Sequence, residues 1–211
     1  HDDHDDHDDH DDHDDHGDDD HDDHDDHGDE ETLNYDPHSW LSPVAFDAQL
    51  EIVRNGLIAA FPSGEEDFNT NAEAYSDQLN TMDEAFNAAF GESGTCVTGG
   101  HEKIVAANHN AYSYIAVAYD IQFVTVHGLD PEGEPSPEDI AKVVNHINEE
   151  EITVLFVEEY TDQSSVQSIV DETGIEIKTL YTMEMRPSNS DDDYLSMMNK
   201  NLDNLVTGMG C

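Results

Sequence analysis

The stretch Ile104-Val105-Ala106-Ala107-Asn108-His109-Asn110-Ala111-Tyr112-Ser113-Tyr114 decides the class of the fold. A short apolar run at 104–107 reads as a buried strand, and after the polar step at 108–110 a helical pattern covers 111–119. The unit then repeats: 122–126, 153–157 and 176–181 read as strands, with helices at 137–149, 163–173 and 191–208. Ser136-Pro137-Glu138-Asp139 is an N-cap followed by Pro and first-turn acids, and Gly174 is a natural stop for the helix before it. Strand and helix alternating four times predict an α/β fold with a parallel sheet covered on both faces.

Upstream of 104 the pattern is helical. Asp36-Pro37-His38-Ser39-Trp40-Leu41-Ser42-Pro43 is a Pro-stiffened approach to a helix with Ser42 as N-cap and Pro43 at its first position. That helix runs to about Ala60, with Phe46, Leu50, Val53 and Leu57 on one stripe. After the break at Pro62-Ser63-Gly64, a long helix covers 68–90, with Tyr75, Leu79, Met82 and Phe86 at helical spacing, and stops at Gly91.

The charge is lopsided. Of 211 residues, 52 are Asp or Glu and only 6 are Lys or Arg, a formal charge of −46. No basic patch exists to release counterions from phosphates, which excludes a nucleic-acid binder. The apolar runs are far shorter than the roughly 20 residues that span a bilayer. Residues 1–31 carry 20 of the acids and 9 of the 14 histidines and no apolar residue, so this segment cannot bury a core and is expected to be disordered. Residues 32–211 keep 32 acids against 6 basic residues, a charge of −26. Self-repulsion of that size is screened at molar salt, where the Debye length falls to about 3 Å, and a halophilic source is expected. The chain starts at His1 in mid-repeat, so a fragment or processed form is expected.

Within 1–31, His1, His4, His7, His10, His13 and His16 mark a His-Asp-Asp repeat that resumes at His21, His24 and His27. In an extended chain successive imidazoles stand about 10 Å apart, so two reach one ion only if the chain folds back. Imidazole at every third place suits a borderline transition metal, zinc being the commonest. A merely solvating acidic tail accounts for the Asp and leaves the His unexplained, so the segment reads as auxiliary metal capture.

Five histidines remain: 38, 101, 109, 127 and 146. Open parallel sheets take their ligands beyond the carboxyl ends of the strands. His109 follows the first strand and precedes a helix, Glu158 and Glu159 follow the third strand, and Glu184 follows the fourth. His38 lies in the Pro-stiffened turn, which could face the same crevice. His127 follows the second strand beside Gly128, in an apparent loop, while His101 and His146 read as solvent-exposed. A single His beside a strand end is ordinarily structural, but two imidazoles with one or two carboxylates make a site for zinc or manganese. No His-Glu-x-x-His or nucleophile motif is present, so an enzyme is not expected. Cys96 and Cys211 are too few for a disulfide scaffold and either pair or stay as free thiols.

From about Asn34 to Met209 the chain resembles the zinc and manganese solute-binding proteins of ABC importers, the ZnuA- and TroA-like group. The resemblance rests on Asp36–Pro43, on His109-Asn110-Ala111-Tyr112-Ser113-Tyr114, and on Gly128-Leu129 leading to Glu134-Pro135-Ser136-Pro137. It continues through Phe156-Val157-Glu158, Glu172-Thr173-Gly174, and Tyr194-Leu195-Ser196-Met197-Met198 with Asn201-Leu202. An acidic, His-rich segment just before the first of these belongs to the same pattern. The resemblance implies two lobes, each a parallel sheet flanked by helices, joined by a long linking helix with the metal between them. Here it assigns 1–31 to the His-rich segment, 32–66 to a remnant of the N-terminal lobe, 67–92 to the linking helix and 93–211 to the C-terminal lobe, with most of the N-terminal lobe and its first His ligand missing. His38 and His109 match the second and third metal ligands. A His at the third place, with the His-rich segment, points to zinc, manganese being the alternative. At the fourth position Met183 stands where many members have Asp; the adjacent Glu184 or water is left to complete the sphere, and Glu158 is a weaker candidate with a structural alternative. The implied function is a zinc-binding receptor, extracellular or periplasmic, lipid-anchored and monomeric, that delivers the ion to a membrane permease. A manganese or iron receptor of the same fold, or a zinc-storage protein relying on the tail, are its rivals.

Overall fold

The computed structural model describes residues 35–127 and 136–211. The His-Asp-Asp segment, and the part of the family pattern at 128–135, lie outside the described residues.

Seven α-helices and four strands are described: α1 (Pro43–Ala60), α2 (Glu65–Phe90), α3 (Thr95–Thr98), β1 (Ile104–Ala107), α4 (Ser113–Tyr119), β2 (Gln122–Thr125), α5 (Pro137–Glu149), β3 (Val154–Val157), α6 (Gln167–Thr173), β4 (Glu176–Thr179) and α7 (Tyr194–Gly208). All strand pairs are parallel, in the order β2-β1-β3-β4. The chain therefore leaves β1 to one side for β2 and crosses back to the other side for β3, so the strand order reverses between β1 and β3.

Strand alternation divides the core into two faces. Val105, Ala107, Val154 and Phe156 point into one cluster with Met82, Phe86, Phe90, Tyr119, Met198 and Leu205, from α2, α4 and α7. Ala106, Leu155 and Val157 point into the other with Val143, Ile147 and Ile169, from α5 and α6. Because both faces are covered, β3 reads as an unbroken apolar run and is buried throughout. Gly208 lets α7 lie close on β3, since a Cβ there would stand 2.7 Å from the Phe156 ring. Lys103 draws two helix ends together: its Nζ donates to the carbonyl of Phe90 at the close of α2 (3.0 Å) and to that of Tyr119 at the close of α4 (2.9 Å). A cation there meets the negative end of both helix dipoles.

Several sequence expectations need correction. The fourth strand stops at Thr179, short of 181, because the Asn201 side chain captures both backbone groups of Tyr181, accepting from its N–H (2.7 Å) and donating to its carbonyl (2.8 Å). The last helix begins at Tyr194 rather than 191, where Asp193 and Ser196 form a reciprocal capping box. The segment 163–173 opens as a 3-10 turn at Gln163–Val166, capped by Asp162, before α6 starts. The helix α1 ends at Ala60 as expected, and its stripe is covered only in part: Val53 is 57% and Leu57 37% exposed, while Phe46 packs on Tyr194 at 4.3 Å between ring centroids. Cys96 and Cys211, left open as a pair, are joined by a disulfide. No described helix is long and apolar enough to cross a membrane.

Candidate metal centre

The centre lies at the carboxyl ends of β1, β3 and β4, beside the point where the strand order reverses, which is where an open parallel sheet leaves a crevice. Asn108 and His109 leave the end of β1, and the Asn108 N–H still bonds the Phe156 carbonyl of β3 (2.8 Å). That bond fixes the direction in which His109 projects. Glu158 leaves β3 one residue beyond its end.

The third element is the turn that carries His38. Asp36 uses one carboxylate oxygen twice, accepting from the His38 backbone N–H at 2.9 Å and pairing with ring Nδ1 at 2.8 Å. Three long-range bonds dock this turn: Trp40 Nε1 donates to the Thr182 carbonyl (2.8 Å), Tyr194 donates to the Trp40 carbonyl (2.7 Å), and Tyr114 donates to the Asp36 carbonyl (3.3 Å). The Asn201 clasp on Tyr181 steadies the strand of chain that leads to Thr182 and Glu184. Between them Met183 adopts a left-handed backbone, φ 59°, which is strained for a residue with a side chain and redirects the chain just before Glu184.

These elements bring His38, His109 and Glu184 together, with one ligand atom of each within 4.8 Å of the others. His38 Nε2 stands 3.1 Å from Glu184 Oε1, and the two imidazole centroids are 5.3 Å apart. His109 is fully buried; Glu158 meets its Nδ1, and its Nε2 has no hydrogen-bond partner among the described residues. Both imidazoles are thus held at Nδ1 by a carboxylate, which leaves each Nε2 as a lone-pair donor facing the centre, the arrangement that metal-ligating histidines adopt. Burial works to raise the Glu158 carboxyl, but its bond to His109 and the charge there, helped by Asn108 and Thr182, bring it below the usual carboxylate range.

The remaining sequence candidates fall outside the three-residue group. Glu158 approaches His109 from the Nδ1 side. His127 is half-buried at the end of β2, lining a cavity of about 310 Å³ with Asn108, Glu158, Glu159, Thr182 and Met183. Burial pushes its imidazole below the ordinary value, the charge of His109 adds to this, and Asp139 opposes it. His101 and His146 are exposed, as expected. His1, His4, His7, His10, His13, His16, His21, His24 and His27 lie outside the described residues.

Sequence reasoning gave no role to Asp36. The signal was present, since an Asp two residues ahead of a histidine in an Asp-Pro-His turn is placed to accept from that residue's backbone and ring together.

A sequence profile described as zinc-uptake complex component A, periplasmic (ZnuA) matches residues 1–208. The chain belongs to the ZnuA family. Among relatives of this ZnuA-family chain, the zinc-binding lipoprotein AdcA of Streptococcus pneumoniae is 30% identical over 171 residues, covering 80% of this chain and 33% of that protein. The high-affinity zinc uptake system protein ZnuA of Bacillus subtilis is 27% identical over 173 residues, covering 81% and 52%. The crystal structure of the Zn(II)-bound ZnuA-like domain of S. pneumoniae AdcA superposes with a TM-score of 0.69 at 28% identity, covering 84% of this chain and 65% of that one. The ZnuA-family chain thus spans about a third of the length of AdcA and about half that of the Bacillus protein.

Proposed function

We propose that this chain belongs to a zinc receptor of an ABC-type importer, in which His38 Nε2, His109 Nε2 and a Glu184 oxygen hold the ion for delivery to a membrane permease. The observation that carries the reading is the convergence of these three groups at the sheet's switch point, with Asp36 and Glu158 each engaged on an Nδ1. Two neutral imidazoles and one carboxylate are a borderline donor set suited to Zn²⁺; an oxygen-dominated set would suit Mn²⁺ better. The names of the relatives, a zinc-binding lipoprotein and a zinc uptake protein, support the same metal. Release of the ion needs no covalent step, so the function is binding and transfer rather than catalysis.

On this reading the chain works as a monomer, α2 is the linking helix within 67–92, residues 93–211 are the C-terminal lobe, and 32–66 belong to the N-terminal one. The His-Asp-Asp segment, which precedes His38 in the same chain, raises the effective concentration of zinc. The Cys96–Cys211 bridge supports a location outside the cytoplasm, where disulfides persist, and the lipoprotein relative supports a lipid anchor at the outer membrane face.

The test is a competitive titration with Zn²⁺ and Mn²⁺ on the whole chain, on a chain lacking residues 1–31, and on His109→Ala. A receptor keeps one tight zinc site without the tail and loses it in H109A. Loss of nearly all capacity with the tail would make the protein a zinc buffer, and tighter manganese binding would make it a manganese receptor.

A further inference from the structure

Glu184 is the exposed member of the three-residue group, and it belongs to neither a helix nor a strand. It lies in residues 180–193, between β4 and α7, directly after the left-handed Met183. A ligand on such a segment is only as well placed as the bonds that tie the segment down. On the near side these are the Asn201 clasp on Tyr181 and the bond from Trp40 Nε1 to the Thr182 carbonyl. Both act before Met183, so the chain beyond it needs a hold of its own.

That hold comes from the turn after β3. The Glu158 carbonyl accepts from the Thr161 N–H (3.1 Å), which closes a tight turn over 158–161, and Asn108 Nδ2 donates to the Thr161 hydroxyl (3.4 Å). Inside the turn, Glu159 Oε1 accepts from the Ser188 N–H (3.2 Å) and from the Ser188 hydroxyl. The Tyr160 hydroxyl donates to the Arg186 carbonyl (2.7 Å). Arg186 and Ser188 stand two and four residues beyond Glu184. Three consecutive residues thus serve two ligands: Glu158 meets Nδ1 of His109, while Glu159 and Tyr160 hold the far side of the segment that carries Glu184. Glu159 is a strand-end carboxylate outside the three-residue group, and the oxygen that could have served a metal is turned to Ser188.

We propose that Glu159 is a positioning residue of the centre: through Ser188 it fixes the chain beyond Met183 and so sets Glu184 against His38 and His109. This rests on Glu184 being a ligand. His38 and His109 are buried and held at Nδ1, so Glu184 is the ligand whose placement depends on a surface tie. Fixing it before the ion arrives removes an ordering cost from binding. The tie itself is exposed, and substitutions at exposed positions change global stability little. Its loss is therefore felt at the ion and hardly at all in unfolding.

The experiment uses the whole chain, so that metal held by the His-Asp-Asp segment is common to every variant and cancels in each comparison. It reads Zn²⁺ affinity by competition with a chelator, and the urea midpoint of the metal-free protein. Partners that touch a ligand directly are worth about 10- to 100-fold in affinity; Glu159 stands one step further out, so Glu159→Ala should cost about three- to tenfold, with the urea midpoint unchanged. Glu159→Gln keeps an acceptor oxygen for Ser188 and should recover most of the loss. An E159Q as weak as E159A would mean that the negative charge attracts the ion at long range, and would overturn the proposal. Glu184→Ala supplies the deciding background, since with the ligand gone the addition of E159A should have no further effect. An equal loss with and without Glu184 would show that Glu159 acts elsewhere, and an E159A that binds like wild type would show the tie to be idle; either result overturns the assignment. If E184A alone binds zinc as tightly as wild type, the ligand reading fails first, on a measurement that does not involve Glu159.

Discussion

Glu158 engages Nδ1 of His109 from one side of the ring while Nε2, on the other side, is buried without a partner among the described residues. A carboxylate in that position fixes the tautomer, turns the ring and strengthens the lone pair on Nε2 that a metal ion would take. The Glu158 carboxyl lies below the usual range, so it is anionic at neutral pH and available for this role. Glu158→Ala should therefore weaken zinc binding about 10- to 100-fold. Glu158→Gln, which keeps an acceptor oxygen but not the charge, should lie between. Isothermal titration against a competing chelator reads both, and an E158A protein that binds like wild type would remove Glu158 from the centre.

The buried phenols set an alkaline limit on stability. Tyr119 and Tyr194 are held above the usual range mainly by burial, and Tyr119 also by its hydrogen bond to Asp83 (2.8 Å); Tyr112 is displaced in the same direction. Folded tyrosines that stay protonated contribute stability that is complete below the unfolded value of about 10 and is lost as pH rises above it toward the folded value. Each such residue removes up to about 1.4 kcal/mol per pH unit in that window. Urea midpoints should be level from neutrality to pH ~9 and fall steeply near pH ~11. A flat midpoint across that range would show that the three phenols ionise freely in the folded protein.

Most of the C-terminal α/β layer could be read from the sequence because strand and helix signals there are local. The run at Ile104–Ala107 and the Ser136 cap at the head of α5 each announce their element within a few residues, and both are found where expected. His38, His109 and Glu184 were also nameable, from the rule for strand ends and from the family pattern. What stayed hidden depends on partners distant in the chain. Asn201 ends β4 by binding Tyr181, twenty residues away, and no periodicity reports such a clasp. The role of Glu158 at Nδ1 rather than in the three-residue group depends on which face of the His109 ring turns inward, which the Asn108–Phe156 bond decides. The α1 stripe shows the limit of periodicity, since helical spacing gives a face but says nothing about what covers it.

The acidic surface makes a measurable demand on the solvent. Residues 32–211 carry 32 acids against 6 basic residues, and the pairs that do form, such as Lys200–Asp192 at 2.5 Å and Lys142–Glu138 at 3.0 Å, can offset only a few of them. Raising salt from 0.1 M to 1 M shortens the Debye length from about 10 Å to about 3 Å and removes most of the repulsion between unpaired carboxylates. The thermal midpoint should therefore climb over this range in potassium chloride, a salt with little stabilising effect of its own. No change, or a fall, would mean that the carboxylates are spaced widely enough to be harmless at low salt, and would sink the expectation of a halophilic source.

The disulfide allows stability and metal binding to be separated. Cys96 precedes β1 and Cys211 follows α7, whose last turn lies at the start of β3, where Thr153 donates to the Gly208 carbonyl (3.4 Å). The bridge thus sits at the amino end of the strands, while His109, Glu158 and Glu184 stand at the carboxyl end. It closes a loop spanning 115 residues of sequence, and cross-links of that length typically contribute about 2–5 kcal/mol, largely by restricting the unfolded chain. Cys96→Ala together with Cys211→Ala should lower the urea midpoint by an amount in this range. Zinc affinity measured well below the unfolding transition should stay within about twofold of wild type, because the bridge and the group His38, His109 and Glu184 lie at opposite ends of the strands. A large loss of affinity in the folded double variant would show that order at the amino end of the sheet is transmitted through β1 to His109.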